Sequence, residues 1–150
     1  MKKLLLLSFY LFVYAISYSQ VVNPIKWSFT SKKLDADTYE VHLTASIDKG
    51  WHTYSQSTPD GGPLPTSINF TKNPLVTIDG KPKEVGKLEQ HREPLFGVDV
   101  KQFSNKVDFV QIVKVKGSAN TTVTGSVASM ACDDKQCLPP FTEKFSVSLK

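Results

Sequence analysis

From Tyr39 to Ile47 every odd-numbered residue is apolar and every even-numbered one is polar or small. A period of two marks a strand with one face buried and one face in water, whereas the apolar stripe of a helix recurs every three to four residues. The same spacing returns at Val107, Phe109, Gln111, Val113 and Val115, with one polar lapse, then at Thr121, Val123, Gly125 and Val127, and at Phe145, Val147 and Leu149. Further strands are expected over residues 25–32, 66–70, 75–78, 83–89 and 98–103, the first pairing with the Tyr39 strand across residues 34–37. Residues 116–120 read as a hairpin loop, and residues 58–65 and 90–97 read as longer loops. No segment after the leader carries a helical period. Eight or nine short strands separated by turn residues predict an all-β chain, an immunoglobulin-like antiparallel β-sandwich, with a small barrel as the alternative.

The first residues follow a different rule. Met1-Lys2-Lys3 precedes thirteen residues, 4–16, that are apolar apart from Ser8, and Ser17-Tyr18-Ser19-Gln20 follows. This is the pattern of a secretory signal peptide, with cleavage expected after Ser19 and one domain over residues 20–150. Thirteen residues fall short of the roughly 20 needed to cross a bilayer, and no later segment comes closer, so no membrane span is expected in the mature chain. The expected location is the periplasm or the outside of the cell. A content of 40% hydrophobic and 11% aromatic residues in 150 fits one globular domain rather than a disordered tail. Removal of Lys2 and Lys3 leaves 16 basic against 14 acidic residues, which gives no nucleic-acid footprint.

Two cysteines, Cys132 and Cys137, enclose Asp133-Asp134-Lys135-Gln136 and are followed by Leu138-Pro139-Pro140. In a secreted chain they are expected to form one disulfide. Closing so short a loop is worth only about 2 kcal/mol in the chain-entropy model, which makes the bond a poor structural staple. Two readings stay open at this point: an exchange-active pair, or an inert disulfide in a non-catalytic binding or adhesion sandwich. Asp133 and Asp134 disfavour a thiolate and Lys135 only partly offsets them, so both thiols should be slow unless a specific partner engages them. The three histidines, 42, 52 and 91, are scattered and complete no metal set with the cysteines. His42 lies on the polar phase of its strand and reads as a solvated residue. No metal and no cofactor beyond the disulfide itself is expected.

Residues 131–144, Ala-Cys-Asp-Asp-Lys-Gln-Cys-Leu-Pro-Pro-Phe-Thr-Glu-Lys, resemble the cysteine motif of the amino-terminal periplasmic domain of the DsbD family of thiol:disulfide interchange proteins. Gly50-Trp51-His52-Thr53-Tyr54 resembles that family's Gly-aromatic-aromatic-x-Tyr segment, and Glu93-Pro94-Leu95-Phe96-Gly97 its cap loop. The resemblance implies an immunoglobulin-like sandwich that acts as a thiol:disulfide oxidoreductase. Its cysteine pair would relay electrons from a thioredoxin-like donor to periplasmic redox partners, disulfide isomerases or cytochrome c maturation thioredoxins, through transient complexes of a monomer. By position, Cys137 would form the mixed disulfide with the partner and Cys132 would resolve it. Phe96 would cap the pair as the aromatic of its loop, although alignment on Gly97 selects Leu95. Glu93 would keep the acidic position beside the cap, and His52 and Tyr54 match two active-site tyrosine positions, of which Tyr54 retains the phenol. Four residues separate the cysteines here where the best-known pattern has five. A full chain of the family continues into membrane helices and a thioredoxin-like domain, so a chain stopping at Lys150 is expected either to draw on separate proteins for them or to do something else.

Overall fold

The computed structural model describes residues 22–117 and 119–150. The leader and its expected cleavage point lie outside the described residues. Nine strands run in chain order: β1 (Ile25–Lys33), β2 (Thr38–Ile47), β3 (His52–Tyr54), β4 (Ser67–Phe70), β5 (Val76–Glu93), β6 (Val98–Val115), β7 (Thr121–Ser129), β8 (Ala131–Cys132) and β9 (Phe141–Leu149). All pairings are antiparallel. The larger sheet has the order β1-β2-β6-β3-β8 with β5 also on β6, and the smaller one the order β4-β7-β9. This is the immunoglobulin-like sandwich, and no helix occurs among the described residues.

The strand phases explain the two layers. Val41, Leu43 and Ala45 of β2 and Val107, Phe109 and Val113 of β6 are fully buried, and they meet Val123 of β7 and Phe145, Val147 and Leu149 of β9. Phe145 anchors the seam, with its ring centroid 5.4 Å from Phe29 and 5.5 Å from Phe70. Burial of such side chains, each worth roughly 1.5–3 kcal/mol, is what holds the sheets face to face.

Four expectations about the chain path are corrected. Segments 75–78 and 83–89 are one strand, β5, interrupted by a bulge between Asp79 and Lys83 where Gly80 takes a φ of +68°. Gln111, the polar lapse, explains itself there: fully buried, it donates from Nε2 to the carbonyl of Asp79 at 2.7 Å, an oxygen that the bulge takes out of the ladder. Segments 98–103 and 107–115 likewise merge into β6, which turns through Asn105 at a φ of +66°. Residues 90–93, expected in a loop, continue β5 because their alternation is completed by the partner strand, Gln90 to Lys101 through Glu93 to Val98. Residues 116–120 join strands of different sheets, since β7 pairs with β4 and β9 and not with β6, so they form a crossover and not a hairpin.

The larger sheet is asymmetric in a way that creates the site. β6 is paired with β5 on one edge over residues 98–103, 107–110 and 112–115, while the other edge carries β2 over residues 106–114 and β3 over residues 102–104. Thus β2 and β3 lie end to end, and β3 alone continues to β8. Phe103 and Ala131, in register with Thr53, belong to the main core. Their neighbours His52, Tyr54, Gln102, Ser104 and Cys132 therefore face the other way.

Candidate redox site

Cys132 and Cys137 form a disulfide with their Cα atoms 4.0 Å apart. The local sequence dictates this. Asp133 N donates to Gln136 O at 2.9 Å and Leu138 N to Ala131 O at 2.8 Å, so the cysteines occupy the non-hydrogen-bonded position of a tight antiparallel turn, where facing side chains come closest. The Asp133 carboxylate closes the turn by accepting the backbone N–H groups of Lys135 and Gln136, both at 2.8 Å. Those two donors hold its pKa below the usual carboxylate range. The acidic residue beside the pair is thus occupied with turn geometry. Cys132 is 0% exposed, whereas Cys137 is only partly buried.

Beneath the disulfide lies a second, small apolar cluster of Tyr54, Val100 and Cys132, with Val98, Met130 and Cys137 packed against it. The Pro/Gly loop 58–65 runs over it in close contact: a Cβ at Gly62 would stand 3.0 Å from Val98 Cγ2, so a side chain there would require Val98 to shift. Polar groups converge on the same cluster. Tyr54 Oη donates to Glu93 Oε2 at 3.0 Å, His52 Nε2 is 3.0 Å from Tyr54 Oη and 3.4 Å from Glu93 Oε2, and Glu93 is 3% exposed. Burial lowers the pKa of His52 below its usual value, with His91 acting in the same direction, while Glu93 and Asp134 pull it back up. Burial, and then the charge and hydrogen bond of Glu93, raise the Tyr54 phenol, which stays protonated throughout the physiological range.

Glu93 owes its position to the β5–β6 hairpin. Its carbonyl accepts Gly97 N at 2.7 Å and Phe96 N at 3.3 Å, and Gly97 adopts the φ of +69° that closes the four-residue loop. Pro94 fits the first turn position, where a φ near −65° is required. Leu95 and Phe96 project from the tip at 50% and 36% exposure, Phe96 the more sheltered of the two.

Cys132, Cys137, His52, Tyr54 and Glu93 are therefore brought together, and Leu95 and Phe96 stand on the loop that Glu93 anchors. His91 is a site neighbour that the isolated sequence did not point to, with its ring centroid 6.3 Å from that of His52. The phase Glu89-His91-Glu93 would have revealed it, had residues 90–93 been read as strand. His42 is elsewhere and is not simply solvated: it is half-buried, with Nδ1 2.7 Å from Asp108 Oδ2 and Nε2 3.5 Å from Glu40 Oε2. Trp51 packs against the main core. Among the described residues no cluster of three or more His, Cys, Asp or Glu side chains is arranged to hold a metal ion.

Comparison with solved structures places this architecture. The reduced N-terminal domain of Neisseria meningitidis DsbD is similar with a TM-score of 0.56 and 16% identity, over 85% of this chain and 90% of that one. The same domain in complex with the PilB N-terminal domain gives 0.53 and 14%, over 85% and 88%. The N-terminal periplasmic domain of Proteus mirabilis ScsB gives 0.50 and 16%, over 83% of this chain and 44% of that one. At such identities the likeness establishes the fold. A search of curated protein sequences returned no significant match. The family model described as the N-terminal part of thiol:disulfide interchange protein DsbD matches residues 20–149, almost the whole described chain. The chain belongs to the family of DsbD N-terminal domains.

Proposed function

We propose that the protein is a periplasmic thiol–disulfide exchange module, freed of residues 1–19 on export, that relays electrons through Cys132 and Cys137 from a thioredoxin-like donor to periplasmic redox partners. The observation that carries this reading is the asymmetry of the pair. Cys132 is fully buried in a cluster with Tyr54 and Val100 while Cys137, packed against the same cluster, is only partly buried, so a partner reaches Cys137 more readily and the pair keeps Cys132 in reserve. A bond placed to staple the fold would gain nothing from that difference.

The chemistry balances with the two sulfurs alone. A donor thiolate attacks Cys137 Sγ, the Cys132–Cys137 bond breaks, and Cys132 leaves as a thiolate and takes a proton. The donor's second thiolate then attacks its own sulfur in the mixed disulfide and releases Cys137, leaving the donor oxidised and the pair reduced by two electrons. Delivery to an acceptor disulfide runs the same steps backwards. Phe96 or Leu95 would limit access to the bond between encounters, and Glu93, Tyr54 and His52 would shape its surroundings. The partners would be thioredoxin-like domains met by a monomer in transient complexes, in keeping with the similar domain solved together with PilB. No further cofactor enters these steps.

Equilibration of the oxidised protein in thiol/disulfide buffers tests the reading. A potential above about −300 mV is expected for an exchange-active pair, whereas a value well below it would leave an inert disulfide in a binding sandwich.

A further inference from the structure

His52 has two ring nitrogens, and the hydrogen bonds of the site use one of them. Tyr54 Oη gives its hydrogen to Glu93 Oε2, so the hydrogen in the 3.0 Å contact between His52 Nε2 and Tyr54 Oη comes from the imidazole. The 3.4 Å approach of Nε2 to Glu93 Oε2 asks for the same hydrogen. A neutral His52 therefore carries its proton on Nε2 and keeps a free lone pair on Nδ1, the form of a base oriented through its other nitrogen. His52 is also the direct cross-strand partner of Cys132. Such partners share a face of the sheet with Cβ atoms roughly 4.5–5.5 Å apart.

We propose that His52 is the proton acceptor and donor for Cys132 in the resolving step of the exchange. The inference rests on Cys132 and Cys137 being an exchange-active pair in which Cys137 is the sulfur that partners engage. In the mixed disulfide Cys137 is bonded to the partner's sulfur and Cys132 is a thiol. His52 Nδ1 takes the thiol proton, Cys132 Sγ attacks Cys137 Sγ, and the partner leaves as a thiolate with the electron pair of the broken bond. Over capture and resolution together the cysteine pair is oxidised by two electrons and the partner disulfide is reduced by two. In the opposite direction the imidazolium returns its proton to the departing Cys132 thiolate.

Burial makes this assistance necessary. Cys132 is fully enclosed, so its thiol ionises poorly and has little water to receive its proton. The groups facing His52 are Tyr54 on its own strand, Ser104 and through it Glu89 (3.2 Å) across β6, His91 and Glu93 from β5, and Asp134 from the cysteine turn. Burial outweighs the carboxylates among them, so the imidazole is neutral near pH 7 and ready to act as a base.

The experiment isolates the step. Reduced protein mixed with 5,5′-dithiobis(2-nitrobenzoate) releases one thionitrobenzoate in a bimolecular phase as Cys137 is captured. A second is released in a unimolecular phase as Cys132 resolves. His52→Gln, which keeps a donor toward Tyr54 but has no base, should slow the second phase at least about tenfold near pH 7 and leave the first nearly unmoved. The wild-type second phase should level off once His52 is neutral, while that of H52Q keeps climbing about tenfold per pH unit beyond the ordinary thiol pKa of about 8.5, because burial raises the Cys132 thiol. A second phase unchanged in H52Q, or both phases slowed alike at every pH, would overturn the proposal. If H52Q does not fold, Tyr54→Phe takes its place; it removes the nearer of the two acceptors that orient Nε2 and should slow the second phase by a smaller factor, and an unchanged second phase there also overturns the role. Mass spectrometry of the intermediate separates the two levels. A label on Cys132 would overturn the exchange roles themselves, whereas a label on Cys137 with an indifferent second phase removes His52 alone.

Discussion

His52 and Cys132 are directly paired across β3 and β8, so an imidazole and a buried sulfur from distant parts of the chain share one face of the larger sheet. The pairing has a consequence for stability. Folding lowers the pKa of His52, chiefly through burial, so the unfolded chain binds this proton more tightly than the native protein. Its contribution is complete above the unfolded value near 6.5 and is lost as the pH falls from there toward the folded value. Urea unfolding at pH 7.5 and pH 5 should show a larger loss of stability in wild type than in His52→Gln. An equal or smaller loss in wild type would mean that the imidazole is not buried as described.

The unequal burial of the two cysteines predicts unequal trapping. Cys132→Ser leaves the partly buried Cys137 without its resolver, so mixed disulfides with thioredoxin-like proteins should accumulate, while Cys137→Ser should trap few. Gel shifts under non-reducing conditions read the difference, and equal trapping by both variants would remove the assigned roles.

Reduction should leave the fold standing. The six-residue ring is worth only about 2 kcal/mol, against a typical total of 5–15 kcal/mol for a domain, and the main core lies on the opposite face of the sheet. The reduced protein should keep its β-sheet circular dichroism at 25 °C and unfold cooperatively. Loss of that spectrum on reduction would speak for a structural disulfide.

The loop that Glu93 anchors predicts a steric effect. Phe96, less exposed than Leu95, should be the residue that shields the sulfurs. Phe96→Ala should speed reduction by dithiothreitol severalfold with little change in equilibrium potential, because access alters both directions alike. Leu95→Ala is the paired control, and a reduction rate unmoved by either substitution would show that the loop is no cap.

The alternation at Val41, Leu43 and Ala45 and at Val107, Phe109 and Val113 determined the sandwich, because a period of two commits one face of each strand to a core wherever its partners lie. The Cys132–Cys137 turn was equally local: Asp133 folds it with its own carboxylate, and the disulfide closes over residues adjacent in the chain. The deeper burial of Cys132 than of Cys137 was not local. It depends on β3 taking the place beside β6 that β2 vacates, and on loop 58–65 crossing Val98 at Gly62. The bulge at Gly80 and the turn through Asn105 split two long strands into four apparent ones, since each breaks the phase that pattern reading relies on. For the same reason residues 90–93 carry no strand phase legible in the sequence, and nothing in the sequence sets His91 beside His52. The tautomer of His52 was furthest from the sequence, because it is decided by Tyr54, Glu93 and the hairpin that brings them together, and a hydrogen-bond network exists only where the tertiary fold closes it.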